Sequence, residues 1–443
     1  MGDSFRGSGP AFPVAFLIAA VGLVGCEASS NGSGTSIALM DEDGVPTLTV
    51  EGLWEPDWPH LPSLEVDTLI SPSDGDGVGL VAPLHAAILA DDRIVVADVG
   101  TRRVWIASDA GEWSGGPGPG EGPGELRSIG GVWPSNGGFI VHDPQAGDLV
   151  RFDADGGWLD RSGVGIEHAV HGAGSSIGAW APSVHRVDAV EWLAVVPMTS
   201  EIRSDGPVQR VEARFVRVFG HPADREMSLG TGPLRDLFVE GGGGAPIPFA
   251  RSSYAAAASG SVVMFLGDDP FVEVQGPDGT VTRRVRWTDA PQALGASHRG
   301  ALGDYMREIA PDDIPPEALE NLIANFQDIP LPERLPHLGD LRLGEDGAIW
   351  LGWPERSGLE VPTEPELVRE WRMVPPEGWD GEAQVFRVTL PEGATLLGPA
   401  IEAGEARAPG WSGTVRRGSF FVLLRDPMGR QGIGVLRYGA TAP

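Results

Sequence analysis

An all-β protein is predicted by three features of this sequence. First, the 443 residues hold 64 Gly and 39 Pro, spread along the chain with aromatics arriving singly between them, which suits many short strands joined by turns. Second, the chain repeats itself. Moved along by 45 residues, "ILADDRIVVADVGTRRVWIASDAGEW" (Ile88–Trp113) falls on "WPSNGGFIVHDPQAGDLVRFDADGGW" (Trp133–Trp158), with Val96 on Val141, Asp98 on Asp143, Val104 on Leu149 and Trp113 on Trp158. Apolar residues alternate along two strands in each copy, and Asp and Gly mark the turns. Third, fainter copies of the plan follow at Glu191–Gly220, Gly260–Trp287, Leu341–Pro354 resuming at Ala383, and Arg416–Gly439, six units in all. A period of about 40–50 residues with four strands per unit is that of a β-propeller. The expected architecture is therefore a six-bladed β-propeller with a small helical hairpin insertion, over residues 63–443.

The chain opens with an apolar run from Ala11 to Gly25 behind a single Arg6, ending at the only cysteine, Cys26. A bilayer span needs about 20 apolar residues, so this shorter run reads as the core of an export signal over residues 1–25. Leu23-Val24-Gly25-Cys26 resembles a bacterial lipobox, which implies a fatty-acid (palmitate-type) anchor on Cys26. The following residue is Glu27 and not Asp, which by resemblance to known sorting signals favours an outer-membrane lipoprotein on the periplasmic or cell-surface side. The Ser/Gly/Asn tract Ser29–Ser36 has little to pack, so residues 26–62 are expected to be a flexible tether. Without a second cysteine the core must hold without disulfides.

At "GGPGPGEGPGEL" (Gly115–Leu126) six glycines and three prolines raise the question of a phosphate cradle. The stretch has neither the G-x-G-x-x-G nor the G-x-x-x-x-G-K pattern, and it precedes an apparent strand where a cradle would open a helix. It is expected to be a tight connection between repeats, with Glu121 and Glu125 opposing any anion.

With these residues in hand, the chain resembles the NHL-like six-bladed propellers, in particular bacterial lipoproteins of that group. The resemblance is carried by "RIVVADVGTRRVWIASDAG" (Arg93–Gly111) and "GPGEGPGEL" (Gly118–Leu126), and is strong from Leu64 to Asp160. It implies the fold and little chemistry.

Two insertions interrupt the plan. Ala301, Leu302, Tyr305, Met306 and Ile309 share one helical face, as do Ala318, Leu319, Leu322, Ile323 and Phe326, and the prolines at 311, 315 and 316 separate them. This predicts a helical hairpin over about 298–327, docked beside the fourth and fifth blades so as to shade one mouth of the central channel. Residues 355–382 are expected to be a Pro/Glu/Trp-rich rim loop. The ring is expected to close by pairing Leu64–Ile70 with the last unit near Gln431–Arg437, removing exposed edges.

Charge and side-chain inventory narrow the function. Lysine is absent, so all 32 basic residues are Arg, against 62 Asp and Glu, a formal charge of −30. Schiff-base chemistry is excluded, and nucleic-acid binding is not expected of so acidic a chain. Asp98 and Asp143 recur at one repeat position and are expected to bond backbone N–H groups at turns rather than act as acid and base. His168, His171 and His185 are the one histidine cluster, in a Gly-rich context unsuited to a metal.

Related six-bladed enzymes hold a metal in the channel through inner-strand ligands, so an extracytoplasmic hydrolase or lyase is the alternative reading. Aligning the inner strands here places His85, Gly130, Ser253, Asp340 and Trp411 at comparable positions, too mixed a set for a metal. No catalytic residue, metal or cofactor is assigned. The expected function is binding of a small molecule or protein partner by a membrane-tethered propeller, with His85, Arg251, Asp340 and Trp411 directed at the channel.

Overall fold

The computed structural model describes residues 36–53, 64–65, 68–70, 80–81, 83–108, 111–163, 183–187, 191–198, 208–219, 225–240, 243–247, 250–267, 269–290, 293–295, 300, 303–304, 307, 314–352, 370–374, 384–389, 395–396, 419–425 and 431–437. The signal segment, Cys26, the histidines at 168 and 171, and Trp411 lie outside them.

The first strands, β1 (Ser36–Glu42) and β2 (Val45–Glu51), form a hairpin. Its two-residue turn is Asp43-Gly44, with φ of 55° and 81°, the left-handed pair that a type I′ turn requires and that Asp-Gly supplies cheaply. Asp41 Oδ1 accepts from Gly44 N–H at 2.8 Å. Within the span 26–62 expected to be a tether, residues 36–51 are thus a paired hairpin, while 26–35 and 54–62 lie outside the described residues. Thr47, Val50 and Leu53 are fully buried, so this stretch has a face to bury that the Ser/Gly/Asn tract before it lacks. Two short strands follow, β3 (Leu64–Glu65) and β4 (Thr68–Ile70).

Two regular four-stranded meanders come next. The first holds β5 (Pro83–Ile88), β6 (Ile94–Asp98), β7 (Arg103–Ala107) and β8 (Trp113–Gly115); the second holds β9 (Gly131–Ser135), β10 (Gly138–Asp143), β11 (Asp148–Asp153) and β12 (Trp158–Gly163). The third sheet is longer, with β13 (Ser183–Arg186), β14 (Glu191–Met198), β15 (Val208–Phe219), β16 (Arg225–Glu240) and β17 (Gly243–Pro246). In the fourth, β18 (Tyr254–Ala258), β19 (Ser261–Phe265), β20 (Phe271–Gln275) and β21 (Val281–Trp287) form the meander, and β2 adds to β21 in parallel.

Helix α1 (Pro316–Asp328) lies in the connection to the fifth sheet, which holds β22 (Asp340–Leu343), β23 (Ile349–Gly352), β24 (Glu370–Val374) and β25 (Gln384–Thr389), with β3 added in parallel. The sixth sheet is β26 (Thr395–Leu396), β27 (Ser419–Arg425), β28 (Gln431–Arg437) and β4. Ile433, Gly434 and Val435 of β28 pair with Ile70, Leu69 and Thr68 of β4, the closure expected from the sequence. The N-terminal strands thus supply outer strands to the fourth, fifth and sixth sheets in succession.

Packing turns these sheets into a ring. Side chains alternate across a strand, so each sheet buries two faces against two neighbours. Val96 joins Phe421, Ile433 and Val435 of the sixth sheet, whereas Val95 and Ala97 join Val132, Phe139 and Val141 of the second. Ile140 and Leu149 then meet Trp192, Ala194 and Val218 of the third sheet, and Leu193 and Phe215 meet Val262 and Met264 of the fourth. Val263 and Phe265 continue to Leu341 and Leu351 of the fifth. Arg342, buried on β22, donates from Nη1 to the Phe421 carbonyl at 3.0 Å and links the fifth sheet to the sixth. Each fully buried Val or Leu contributes about 1.5–3 kcal/mol, so the interfaces between sheets, more than any one sheet, hold the fold. A succession of meander sheets packed face to face and returning to the first is a β-propeller arrangement.

Three other expectations are refined. Residues 355–382 are not all loop, because Glu370–Val374 pairs with β23. In the sixth sheet Thr395–Leu396 pairs with Arg425 and Leu424 of β27, and Trp411, expected at the channel, falls outside the described residues. The second helix of the hairpin is α1, opening on Pro316 where the missing N–H costs nothing; Ile323 is buried, but Ala318, expected on its apolar face, is exposed. Gly300, Gly303, Asp304 and Arg307 are helical too. Arg307 ties the two segments by Nε and Nη2 bonds of 2.8 and 3.0 Å to Glu320, holding the Glu320 carboxyl below its usual range.

Candidate functional site

In each antiparallel sheet the first strand begins where the second ends, so Pro83 pairs with Asp98, Tyr254 with Phe265 and Asp340 with Gly352. The connections between sheets enter at this end, and it gathers most of the residues that chemistry would need.

The recurring aspartates are committed to the backbone. Asp98 is fully buried and accepts from Val81 N–H, Gly100 N–H and the Thr101 hydroxyl, each at 3.0 Å. Asp143 accepts from Arg127 N–H at 2.8 Å, from Ser128 N–H and hydroxyl at 3.0 Å and from Ala146 N–H at 3.3 Å, with Arg161 at 4.0 Å. Each carboxylate fastens the incoming connection to the turn after the second strand, as the repeat suggested. Buried donors and acceptors carry a desolvation cost unless paired, which explains an ionisable side chain at a fully buried turn.

The glycine stretch is similarly occupied. Gly116 N–H donates to the Val104 carbonyl, Gly120 N–H to Leu126 and Gly122 N–H to the Glu125 carboxylate at 2.7 Å. Glu125 thus stands where an anion would have to bind. Gly124 has φ +77°, and a Cβ there would lie 2.8 Å from Trp158 Cβ; the loop packs on β12 of the next sheet, and Arg161 bonds the Glu125 carbonyl. The loop joins neighbouring sheets.

His85 is 5 % exposed, accepts at Nδ1 from Val132 N–H at 3.3 Å, and lies 5.6 Å from the Trp133 ring. It joins the first sheet to the second instead of facing a channel. The inner-strand register also shifts. Five residues separate Ile88 from its partner Ile94, but four separate Pro134 from Phe139. Gly131, opposite His142, therefore occupies the position of His85, where the sequence alignment put Gly130. A one-residue slip reverses the face a side chain presents.

Arg251 and Asp340 lie at this same end of their sheets. Arg251 is exposed on the connection into β18, and Asp340 opens β22, whose strand lies beside β18. Ser253, buried nearby, donates its N–H to the Pro233 carbonyl at 2.6 Å.

Sequence reasoning missed His337. It sits three residues before β22, where Trp287 Nε1–H donates to its Nδ1 at 3.4 Å and the rings meet edge to face at 6.2 Å. Burial lowers its pKa below the ordinary 6.5, and Asp269 opposes that in part. The signal was a histidine at the mouth of an inner strand, which only the register reveals.

The excursion carrying α1 closes at its neck, where Leu294 N–H donates to the Glu333 carbonyl at 2.8 Å and Ala293 bridges Arg334. Arg251, Tyr254, His337 and Asp340 therefore share one end of two adjacent sheets, beside the base of a helical excursion. Arg251 is exposed there, whereas the Tyr254 ring stacks on Phe265. Among the described residues no three His, Cys, Asp or Glu side chains converge as a metal site, and no helix is long and apolar enough to cross a membrane.

The fold defines the class as a β-propeller. No family model matches the chain, and no curated protein matches it. Among solved structures, a putative exported protein of Bacteroides fragilis is 10% identical with a TM-score of 0.39, covering 77% of this chain and 80% of its own. Virginiamycin B lyase from Staphylococcus aureus is 9% identical, TM-score 0.34, over 82% of this chain and 98% of its own. A gluconolactonase from Xanthomonas campestris is 10% identical, TM-score 0.35, over 85% and 98%. At these levels the likenesses lend no activity, and the fold assignment rests on the ring of sheets.

Proposed function

We propose that this protein is a six-bladed, NHL-like β-propeller held at the outer membrane by a lipid on Cys26, which binds a small molecule or protein partner at the mouth formed by its connecting loops, without catalysis. The observation that carries the binding reading is the engagement of Asp98 and Asp143. The carboxylates best placed by repetition for acid–base work are fully buried and bonded to backbone N–H groups and nearby hydroxyls. The exposed Arg251 at the mouth suits recognition of an anionic or hydrogen-bonding ligand. The alternative, an extracytoplasmic hydrolase or lyase with a metal in the channel, would need ligands from several inner strands.

Screening the full chain against metabolites by thermal shift tests this reading, with Arg251→Ala alongside and metal content measured on the same preparation. A ligand that raises the melting temperature of the wild type and loses at least tenfold in affinity in Arg251→Ala supports it. A stoichiometric metal with turnover of the bound compound favours the enzyme, and a ligand indifferent to Arg251 puts the site elsewhere.

A further inference from the structure

Among the described residues β1 is the outermost strand of a six-stranded sheet, and its outer edge is unlike those of the other sheets. The remaining outer strands are guarded in the usual ways. β8 and β4 are three residues long and β3 two, β17 contains Pro246, and β12 is offset by a register shift and carries Asp160 and Arg161. β1 instead runs seven residues in unbroken register with β2, free of proline and bulge. Leu39 is 73% and Met40 48% exposed. Successive residues point to opposite faces, so both faces of the strand are about half open or more at its centre.

We propose that β1 pairs antiparallel with β1 of a second copy of this chain, about a two-fold axis at Leu39. In a two-residue hairpin the pair that closes the turn exchanges the backbone bonds. That pair is Glu42 and Val45. The N–H and C=O of residues 37, 39 and 41 are then turned to the free edge, and a two-fold at Leu39 sets 37 opposite 41 and Leu39 opposite Leu39. The charges fit this occupant. Asp41 and Glu42 of one copy stand opposite positions 37 and 36 of the other, at opposite ends of the pair, so the acidic ends never meet. A register displaced toward the turn would place carboxylates against each other, and like charges directly opposite destabilise a strand pair. Two copies each at −30 repel at long range, so pairing strengthens as salt screens them.

Disulfide trapping in the full chain tests this, with Cys26→Ser removing the one native thiol. Directly opposite Cα atoms in a hydrogen-bonded pair lie about 5.5 Å apart, within disulfide reach, whereas residues two positions out of register are about 7–8 Å apart. Leu39→Cys is therefore expected to cross-link to a dimer under mild oxidation, at least tenfold faster than Met40→Cys, with the yield rising from 0.05 to 0.5 M salt, taken as on the order of a Debye length falling from about 14 to 4 Å. Leu39→Arg in the wild-type chain sets two cations face to face and is expected to weaken dimerisation at least tenfold in sedimentation. Equal trapping at both positions, or none, overturns the proposal. So does a protein that stays monomeric at every concentration, including one whose Leu39 governs flotation with phosphatidylethanolamine vesicles instead.

Discussion

Arg217 offers the sharpest test of the view that contacts between sheets hold this fold. Its side chain is fully buried on β15. It donates to the Glu191 carboxylate from Nε at 2.9 Å and again from Nη2, and reaches the fourth sheet through the Gly276 and Gly260 carbonyls, each at 2.9 Å. Arg217→Met keeps most of the stem but removes the charge and every donor. Breaking a buried ion pair costs about 3–5 kcal/mol. Glu191 keeps 17% of its side chain exposed, so water can partly hydrate the stranded carboxylate, which favours the lower end. Each carbonyl that loses its donor adds about 1 kcal/mol, less than additively. The expected loss is about 3–5 kcal/mol, a large share of an ordinary domain's stability. Urea unfolding followed by tryptophan emission, with 14 Trp as reporters, measures it. Arg217→Met combined with Glu191→Gln should recover about 1 kcal/mol or more, because no charge is then left buried alone. A loss under about 1 kcal/mol in the single variant, or no recovery in the double, would refute the reasoning.

Asp98→Asn keeps the shape of the side chain but exchanges one acceptor oxygen for an NH2 facing Val81 N–H or Gly100 N–H, and is expected to cost about 1–3 kcal/mol of unfolding free energy. Gly138→Ala would drive a Cβ to 2.0 Å from the Phe152 carbonyl; backbone must move, and the variant is expected to yield little soluble protein, whereas Gly137→Ala, with open space but φ +76°, should fold with a loss of about 1 kcal/mol. His337 titrates below its ordinary 6.5 when folded, so the unfolded chain takes the proton first. Stability from this group is full above about pH 6.5, falls as pH drops below it, and levels once the folded imidazole protonates. Melting temperatures across pH 5–8 should show that slope in the wild type and lose it in His337→Gln.

Much of the ring was legible because the signals are local. Alternation and Asp-Gly turns marked the strands of the first two sheets, and the 45-residue shift set Asp98 on Asp143 before either hydrogen bond was seen. Of the closing strand expected at Leu64–Ile70, the part at Thr68–Ile70 was legible because an open sheet leaves an edge to fill, whereas Leu64–Glu65 joins the fifth sheet instead. The hairpin of β1 and β2 escaped notice although "MDEDGVPTLTV" carries a D-G turn, because the Ser/Gly/Asn tract before it suggested a tether that continued. β16 hides its strand behind Gly230, Gly232 and Pro233, which bulged pairing with β15 accommodates. The site suffered most from register. One extra residue in the Leu89–Arg93 turn displaced the comparison of the first two inner strands, and a slip of that size reverses the face a side chain presents.

The most direct test of a tethered binding propeller is the mass of the protein's own N-terminus after extraction from the membranes of a lipoprotein-processing bacterium. The account predicts a chain beginning at Cys26 and carrying a diacylglyceryl thioether, absent and mislocalised in Cys26→Ser. An unmodified chain beginning at any other residue, or Cys26 present as a free thiol in a soluble fraction, would contradict it.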